Sequence, residues 1–370
     1  KEVVKISSIG ELKLLELFHR PTLAFKDIAM QFIGNLYEYY LSKNDKKINI
    51  VVATSGDTGA AAIDAIKGKS NLNIFVLHPN NKISSVQRKI MTTVEEKNVF
   101  NIAIEGNFDD CQNIVKSMFS DLEFSKSINM SGVNSINWAR IIAQAVYYFY
   151  SYFKLGKENI SFSVPTGNFG DVFAGYLAKK MGLPIDKLIV ATNENDILHR
   201  AISKGDYISR EVKETLSPSM DIQLASNFER LIYYINNSDS EITTDIMKKI
   251  KQNSYQIEKN NLEIIQKDFL SESCNEQETL DIIKKNYEEN NILLDPHTAV
   301  GVGAANKLSF NDCVVLSTAH PCKFPDATNN AINKHEKLPE ELQHVLDKEE
   351  NFKVLKNNTE EVKNFVKSKV

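Results

Sequence analysis

Residues 48–66 read INIVVATSGDTGAAAIDAI, and the order of residue types in this stretch decides the fold class. Ile48 to Thr54 is a short, β-branched run, the pattern of a strand buried inside a sheet. Ser55-Gly56-Asp57-Thr58-Gly59 supplies the turn, and Ala60 to Ile66 continues at helical spacing in alanine, the best helix former. Strand, glycine turn and helix in sequence open an α/β unit. The turn's backbone amides and the positive end of the helix dipole suit a carboxylate or a phosphate, although a glycine turn of this kind also serves simple packing.

Outward from this unit the rhythm repeats. Asn73 to His78 (NIFVLH, closed by Pro79) and Val99 to Glu105 read as strands, and Lys82 to Met91 and Asp109 to Phe119 carry helical spacing. The alternation from Ile48 to Ser120 favours a largely parallel sheet covered by helices. Upstream, Ser8 to Phe18 shows helical spacing and Asp27 to Leu41 a second helix, with Asp27 supplying negative charge near its start. Downstream, the aromatic helix Ile141 to Phe153 precedes a second series, with strands at Ser161 to Val164, Lys187 to Thr192 and Cys313 to Thr318 and a helix at Asp171 to Met181. Between these, from Ile197 to Leu293, the strand rhythm is lost and the chain is polar, lysine-rich and helical, with a capping box at Asn275 to Glu278. The expected fold is therefore α/β, with two open, largely parallel sheets flanked by helices and an inserted helical subdomain. A small α/β domain is expected at 46–150, a large one from 1–45, 151–196 and 294–330, the insertion at 197–293 and a polar helical tail at 331–370.

Composition narrows the function classes. The 370 residues are 42% hydrophobic and 25% charged, enough for a large core. A net charge of −4 argues against a general nucleic-acid binder, which would carry a basic excess. No apolar run is long enough to span a membrane and no charged-then-apolar leader opens the chain, so a cytoplasmic protein is expected. Cys111, Cys274, Cys313 and Cys322 fall in no metal-ligand spacing and form no dense disulfide set, so free thiols and no metal are expected. The chain opens on Lys1 without an initiator methionine, and structured sequence begins by Val3, so a longer N-terminal part is expected.

Two stretches carry candidate chemistry. Pro21 to Asp27, PTLAFKD, sets Lys26 in an apolar run just before a helix. Either its ammonium snorkels to solvent, or its amine is held neutral or as an imine of a carbonyl cofactor such as pyridoxal phosphate. Val164 to Gly170, VPTGNFG, combines glycines that permit close backbone approach, the donors Thr166 and Asn168, and a helix start directly after. Phosphate is its natural guest, with a structural turn as the alternative; it matches neither nucleotide fingerprint. Thr54, Pro165 and Thr318 all end strands, where ligands collect in open α/β sheets. Arg140 reads as a surface ion pair, Trp138 and the tyrosines 147, 148, 150 and 152 as packing, and His297 and His320 as satisfied structural histidines.

PTLAFKD, TSGDTGAA, NSIN with Arg140 after it, VPTGNFGD, DPHTAV and STAHPCKF stand in the order and approximate spacing of one family. Across most of Phe18 to Phe324 the chain resembles threonine synthase of the bacterial and fungal subgroup, a fold-type II pyridoxal-phosphate enzyme similar to the tryptophan synthase β group. The resemblance implies that Lys26 is joined to the cofactor aldehyde, that Gly167, Asn168, Phe169 and Gly170 cup its phosphate, and that Thr318 faces its pyridine nitrogen. It implies that Ser55, Gly56, Asp57 and Thr58 line the substrate carboxylate, with Lys82 and Arg140 as candidates for the substrate phosphate. The implied reaction converts O-phospho-L-homoserine and water to L-threonine and phosphate, on a monomer or homodimer, with Lys26 shuttling protons.

Two departures from the family pattern stand out. Arg20 takes the place of a usual glycine before the Pro-Thr pair, and Cys322 that of a common alanine, which would put a thiol beside the site. The rival readings are another fold-type II enzyme, a dehydratase or phospho-amino-acid lyase, and a non-catalytic phosphate-binding protein in which Lys26 is only structural.

Overall fold

The computed structural model describes residues 2–334 and 336–370. Among them the strands, numbered along the chain, are β1 (Lys5–Ile9), β2 (Leu12–Glu16), β3 (Ile48–Ala53), β4 (Leu72–Pro79), β5 (Val99–Glu105), β6 (Met130–Ser131), β7 (Ile160–Pro165), β8 (Ile185–Thr192), β9 (Phe269–Ser273), β10 (Val314–Ser317) and β11 (Lys353–Lys356). They form two sheets, ordered β1-β2-β10-β7-β8-β9 and β11-β5-β4-β3-β6. Every pairing is parallel except β1 with β2. Two largely parallel sheets flanked by helices are the expected α/β class.

Contacts divide the chain into two units, one of Lys1–His19 with Ile141–Glu336 and the other of Arg20–Arg140 with Lys337–Val370. The second unit is built on the stretch quoted first. β3 is buried through its middle, as a strand covered on both faces must be, and eight residues of the helix Asp57–Ile66 that follows it are buried. Alanine and glycine make that closeness possible: a Cβ on Gly59 would lie 2.5 Å from Thr54 Cγ2, and one on Gly34 would lie 2.4 Å from the Ala65 carbonyl oxygen. Gly34 lies in the helix Lys26–Lys43, which therefore packs directly on Asp57–Ile66. This packing carries the chain into the second unit at Arg20, whereas the sequence reading kept 1–45 with the large domain.

Three further expectations differ from the structure. Ser8 to Phe18 is not helical but the hairpin β1–β2, turned at Gly10 with φ of +57°, the conformation that a two-residue turn needs. In so short a run, strand and helix spacing overlap, and the glycine is the deciding residue. The helical insertion contains β9, an edge strand beside β8 in which only Phe269 is fully buried, so little apolar pattern marks it. The tail carries β11, paired with β5, before the helix Thr359–Lys367, whose Val362 and Val366 pack with Cys111, Ile114, Met118 and Phe124. The tail also clasps the helix Ser85–Thr92, where Arg88 donates to both oxygens of Glu350 at 2.9 and 3.2 Å and Thr92 Oγ1 donates to the same carboxylate at 2.9 Å. No helix among the described residues is long and apolar enough to cross a membrane.

Candidate active site

In the second unit, the loop before the helix Lys26–Lys43 is drawn tight by its own residues. Asp27, fully buried, accepts from the Thr22 backbone N–H at 2.9 Å and from the Thr22 hydroxyl. Leu23 is forced to φ of +60°, a strained value for a side-chain-bearing residue. Lys26 is thereby the first residue of the helix, its ammonium 4.8 Å from the Phe25 ring centroid and 3.2 Å from Asp57 Oδ2. Its side chain is 12% exposed and that of Asp57 5%. Lys26 therefore does not snorkel; it is held against a carboxylate in a poorly solvated place, where a charge pair is sensitive to geometry.

Asp57 belongs to the turn after β3. Thr54 Oγ1 accepts from the backbone N–H of Gly56 and of Gly59, both at 2.9 Å, and so folds Ser55 to Gly59 over the helix start. Gly56 sits at φ of +134°, which a residue with a Cβ rarely adopts. Ser55 and Thr58 are half-buried in the same turn. Lys82 is exposed in the turn after β4, and because β3 and β4 run parallel with Ala53 opposite Leu77, both turns lie at the carboxyl edge of one sheet. Arg140 is 4% exposed and donates through Nη1 to the Val133 carbonyl at 3.2 Å, so it is a buried residue and not the surface ion pair expected. Trp138, expected as packing, is 41% exposed.

The first unit carries the glycine cup. β7 ends at Pro165, and Thr166 is pinned by its N–H to the Ala191 carbonyl at 2.8 Å and its hydroxyl to the Val164 carbonyl at 2.6 Å. Phe169 takes a left-handed φ of +62° to start the helix Gly170–Lys180, and its buried ring meets Phe228 edge-on at 5.2 Å. The Asn168 side-chain oxygen accepts from Ser226 Oγ at 3.0 Å, and its backbone carbonyl accepts from the Asn227 N–H at 3.0 Å. A Cβ on Gly167 would lie 2.5 Å from the Ser219 carbonyl oxygen. The helix has no side-chain cap, so its first N–H groups suit an anion. Its one acidic first-turn residue, Asp171, is engaged by the hydroxyls of Tyr147 and Tyr148. These tyrosines, expected as packing, are thus hydrogen-bond donors, and the Ser226-Asn227 support has no motif of its own that sequence could show.

Thr318 is buried directly after β10, and β10 lies beside β7 with Val315 opposite Ser163. The cup and Thr318 therefore share one sheet edge. His297 is satisfied at both ring nitrogens: Nδ1 is 2.9 Å from Asp295 Oδ1, and Nε2 accepts from the Ser219 N–H at 3.2 Å. Asp295 also binds the Thr298 hydroxyl, which lies 3.1 Å from Ser317 Oγ. This chain ties the strand end to the segment beneath the cup. Burial pushes the Cys322 thiol up to about 12, so the departure from alanine adds no reactive thiolate.

Burial, with the charge of His19 next and a smaller push from Lys323, lowers His320 from 6.5 to about 4, against the raising effects of Asp295 and Glu16. Its Nδ1 accepts from the Cys322 N–H at 3.3 Å, which requires the neutral ring. The unfolded chain therefore binds a proton at this residue between about pH 6.5 and pH 4 that the folded chain refuses, and stability should fall as pH drops through that window. The difference in urea midpoint between the wild type and His320→Gln should be constant above pH 6.5 and change as pH falls through the window; parallel curves at every pH would contradict it. Among the described residues no group of acidic, histidine or cysteine side chains could hold a metal ion.

A family model for pyridoxal-phosphate dependent enzymes matches residues 11–318, and one for the C-terminal part of threonine synthase matches residues 298–366. Threonine synthase of Saccharomyces cerevisiae is 46% identical over 97% of this chain and 78% of its own length. That of Pseudomonas aeruginosa is also 46% identical, over 96% of this chain and 78% of its own. A crystal structure of pyridoxal-phosphate-bound threonine synthase from Brucella melitensis superposes with a TM-score of 0.95 at 46% identity, covering 99% of this chain and 80% of that one.

Proposed function

Because the chain belongs to the threonine synthase family of pyridoxal-phosphate-dependent enzymes, we propose that Lys26 is the residue joined to the cofactor aldehyde and that Gly167 to Gly170 receive the cofactor phosphate. The function is that of threonine synthase, a pyridoxal-phosphate-dependent lyase. The observation that carries the site assignment is the Lys26 amine, 12% exposed and 3.2 Å from Asp57. The fit of the group is supported by the cup, where Gly167 lets the backbone pass close against the Ser219 carbonyl and an uncapped helix start offers N–H donors.

When bound, the cofactor supplies an electron sink for charge developing at the substrate Cα. The substrate is O-phospho-L-homoserine, and its conversion to threonine needs protons moved at three adjacent carbons. The Lys26 amine removes and returns the Cα proton, and from one helix position it reaches the neighbouring carbons in turn. Asp57 orients that amine. Ser55, Gly56, Asp57 and Thr58 line the substrate carboxylate, held by N–H groups of the turn other than that of Gly56, which is given to Thr54 Oγ1, and Lys82 and Arg140 offset the charge of the departing phosphate. Thr318 offers the pyridine nitrogen a neutral hydroxyl rather than a carboxylate, which tempers the electron sink.

Incubation of the purified protein with cofactor and O-phospho-L-homoserine should give threonine and phosphate in equal amounts. A keto acid and ammonia would reassign the chain to a dehydratase or lyase, and no product of either kind would favour the phosphate-binding protein. Thr318→Asp should shift the product balance toward elimination by about tenfold; an unchanged product profile would refute the assigned role of the hydroxyl.

A further inference from the structure

We propose that Gln87 is a positioning residue for the Lys26 amine, acting through Asp57. Gln87 is 4% exposed, on the helix Ser85–Thr92 whose first turn is capped by Ser84. Its Nε2 donates to Asp57 Oδ1 at 2.8 Å, and the other oxygen of the same carboxylate lies 3.2 Å from Lys26 Nζ. One carboxylate is therefore held between an amide that cannot ionise and an amine that must react. A carboxylate at the start of a helix is free to rotate about its side-chain torsions, and a buried donor on one oxygen fixes which lone pairs face the amine.

The backbone is shaped for this contact. A Cβ on Gly56 would lie 2.8 Å from both Cδ and Nε2 of Gln87, so the carboxamide lies directly on the turn that carries Asp57. The helix that bears Gln87 is itself held on its next residue, Arg88, by the bidentate pair with Glu350. The amide thus belongs to a braced element, which suits a group whose task is to fix a neighbour's geometry.

The proposal rests on the assignment of Lys26 above, and the test separates the two. Full-length protein stripped of cofactor is mixed with pyridoxal phosphate, without substrate, and the visible band that Lys26→Ala abolishes is followed at about pH 6 and about pH 8.5. Gln87→Leu should slow formation of that band by about tenfold at both pH values, with the melting temperature of the cofactor-free protein lowered by no more than a few degrees. Gln87→Glu should approach the wild-type rate at the lower pH, where two adjacent carboxyl groups share a proton that takes over the donor role, and fall about tenfold at the higher. Wild-type rates in both variants would overturn the proposal, as would losses that merely follow a lowered melting temperature. A band that survives Lys26→Ala would refute the lysine assignment and this inference with it; a band that needs Lys26 and ignores Gln87 would refute the inference alone.

Discussion

Lys26→Ala should lower threonine formation by at least about a thousandfold and remove the visible band of the cofactor complex. The effect is large because, in the role proposed above, one amine both holds the cofactor and moves the protons, so its removal eliminates two functions together. Folding should survive the change: Asp57 keeps its hydrogen bond from Gln87, and the loop before the helix is tied by Asp27 to Thr22 and not by Lys26. Lys26→Arg is the sharper control, because a guanidinium keeps the positive charge beside Asp57 yet does not give up its proton. Both variants should be inactive with melting temperatures close to the wild type. Threonine formation by either at more than a few per cent of the wild-type rate would displace Lys26 from its assigned role.

Gly167→Ala should weaken pyridoxal phosphate by roughly a hundredfold, the loss of about two hydrogen bonds to a charged group. The added Cβ would lie 2.5 Å from the Ser219 carbonyl oxygen, 3.1 Å from Ile222 Cδ1 and 3.2 Å from Met220 Cα. That segment cannot retreat easily, because Asp221 is anchored by Asn193, Asn195 and Thr215 at 2.8, 3.0 and 2.7 Å. His297 holds the Ser219 N–H as well. The cup itself must move, and the N–H donors proposed to receive the phosphate lose their alignment. Fluorescence titration of the stripped protein with the cofactor measures the change; wild-type affinity would mean that the phosphate rests elsewhere.

What could be read from residue order, and what could not, follows physical lines. The run from Ile48 to Ile66 announced its own fold because burial on both faces leaves an apolar strand and close helix packing leaves alanine and glycine. VPTGNFG was legible as a tight glycine turn into a helix start for a similar reason: its residues satisfy a backbone requirement within seven positions. The contact of Gln87 was invisible, since its partner, Asp57, lies thirty residues earlier in the chain. The same holds for Tyr147 and Tyr148, whose hydroxyls reach Asp171 from a helix that looked like filler, and for Ser226 and Asn227 in a segment read only as polar. Local pattern reports on burial and turn geometry. Pairings between distant side chains leave no such trace. β1, β9 and β11 escaped because each is a short edge strand with one half-hidden face, which looks much like a polar helix turn.

The strand β11 sets an order of events during synthesis. Its partner β5 is complete once Glu105 has been made, yet the residues that cover its outer edge, beginning opposite Ile102, arrive at Lys353, about 250 residues later. For that interval the nascent chain presents a row of open amides and carbonyls beside a formed sheet, a template that any neighbouring strand can join. A chaperone that occupies this border until the ribosome finishes would raise the yield of folded enzyme without touching the catalytic residues.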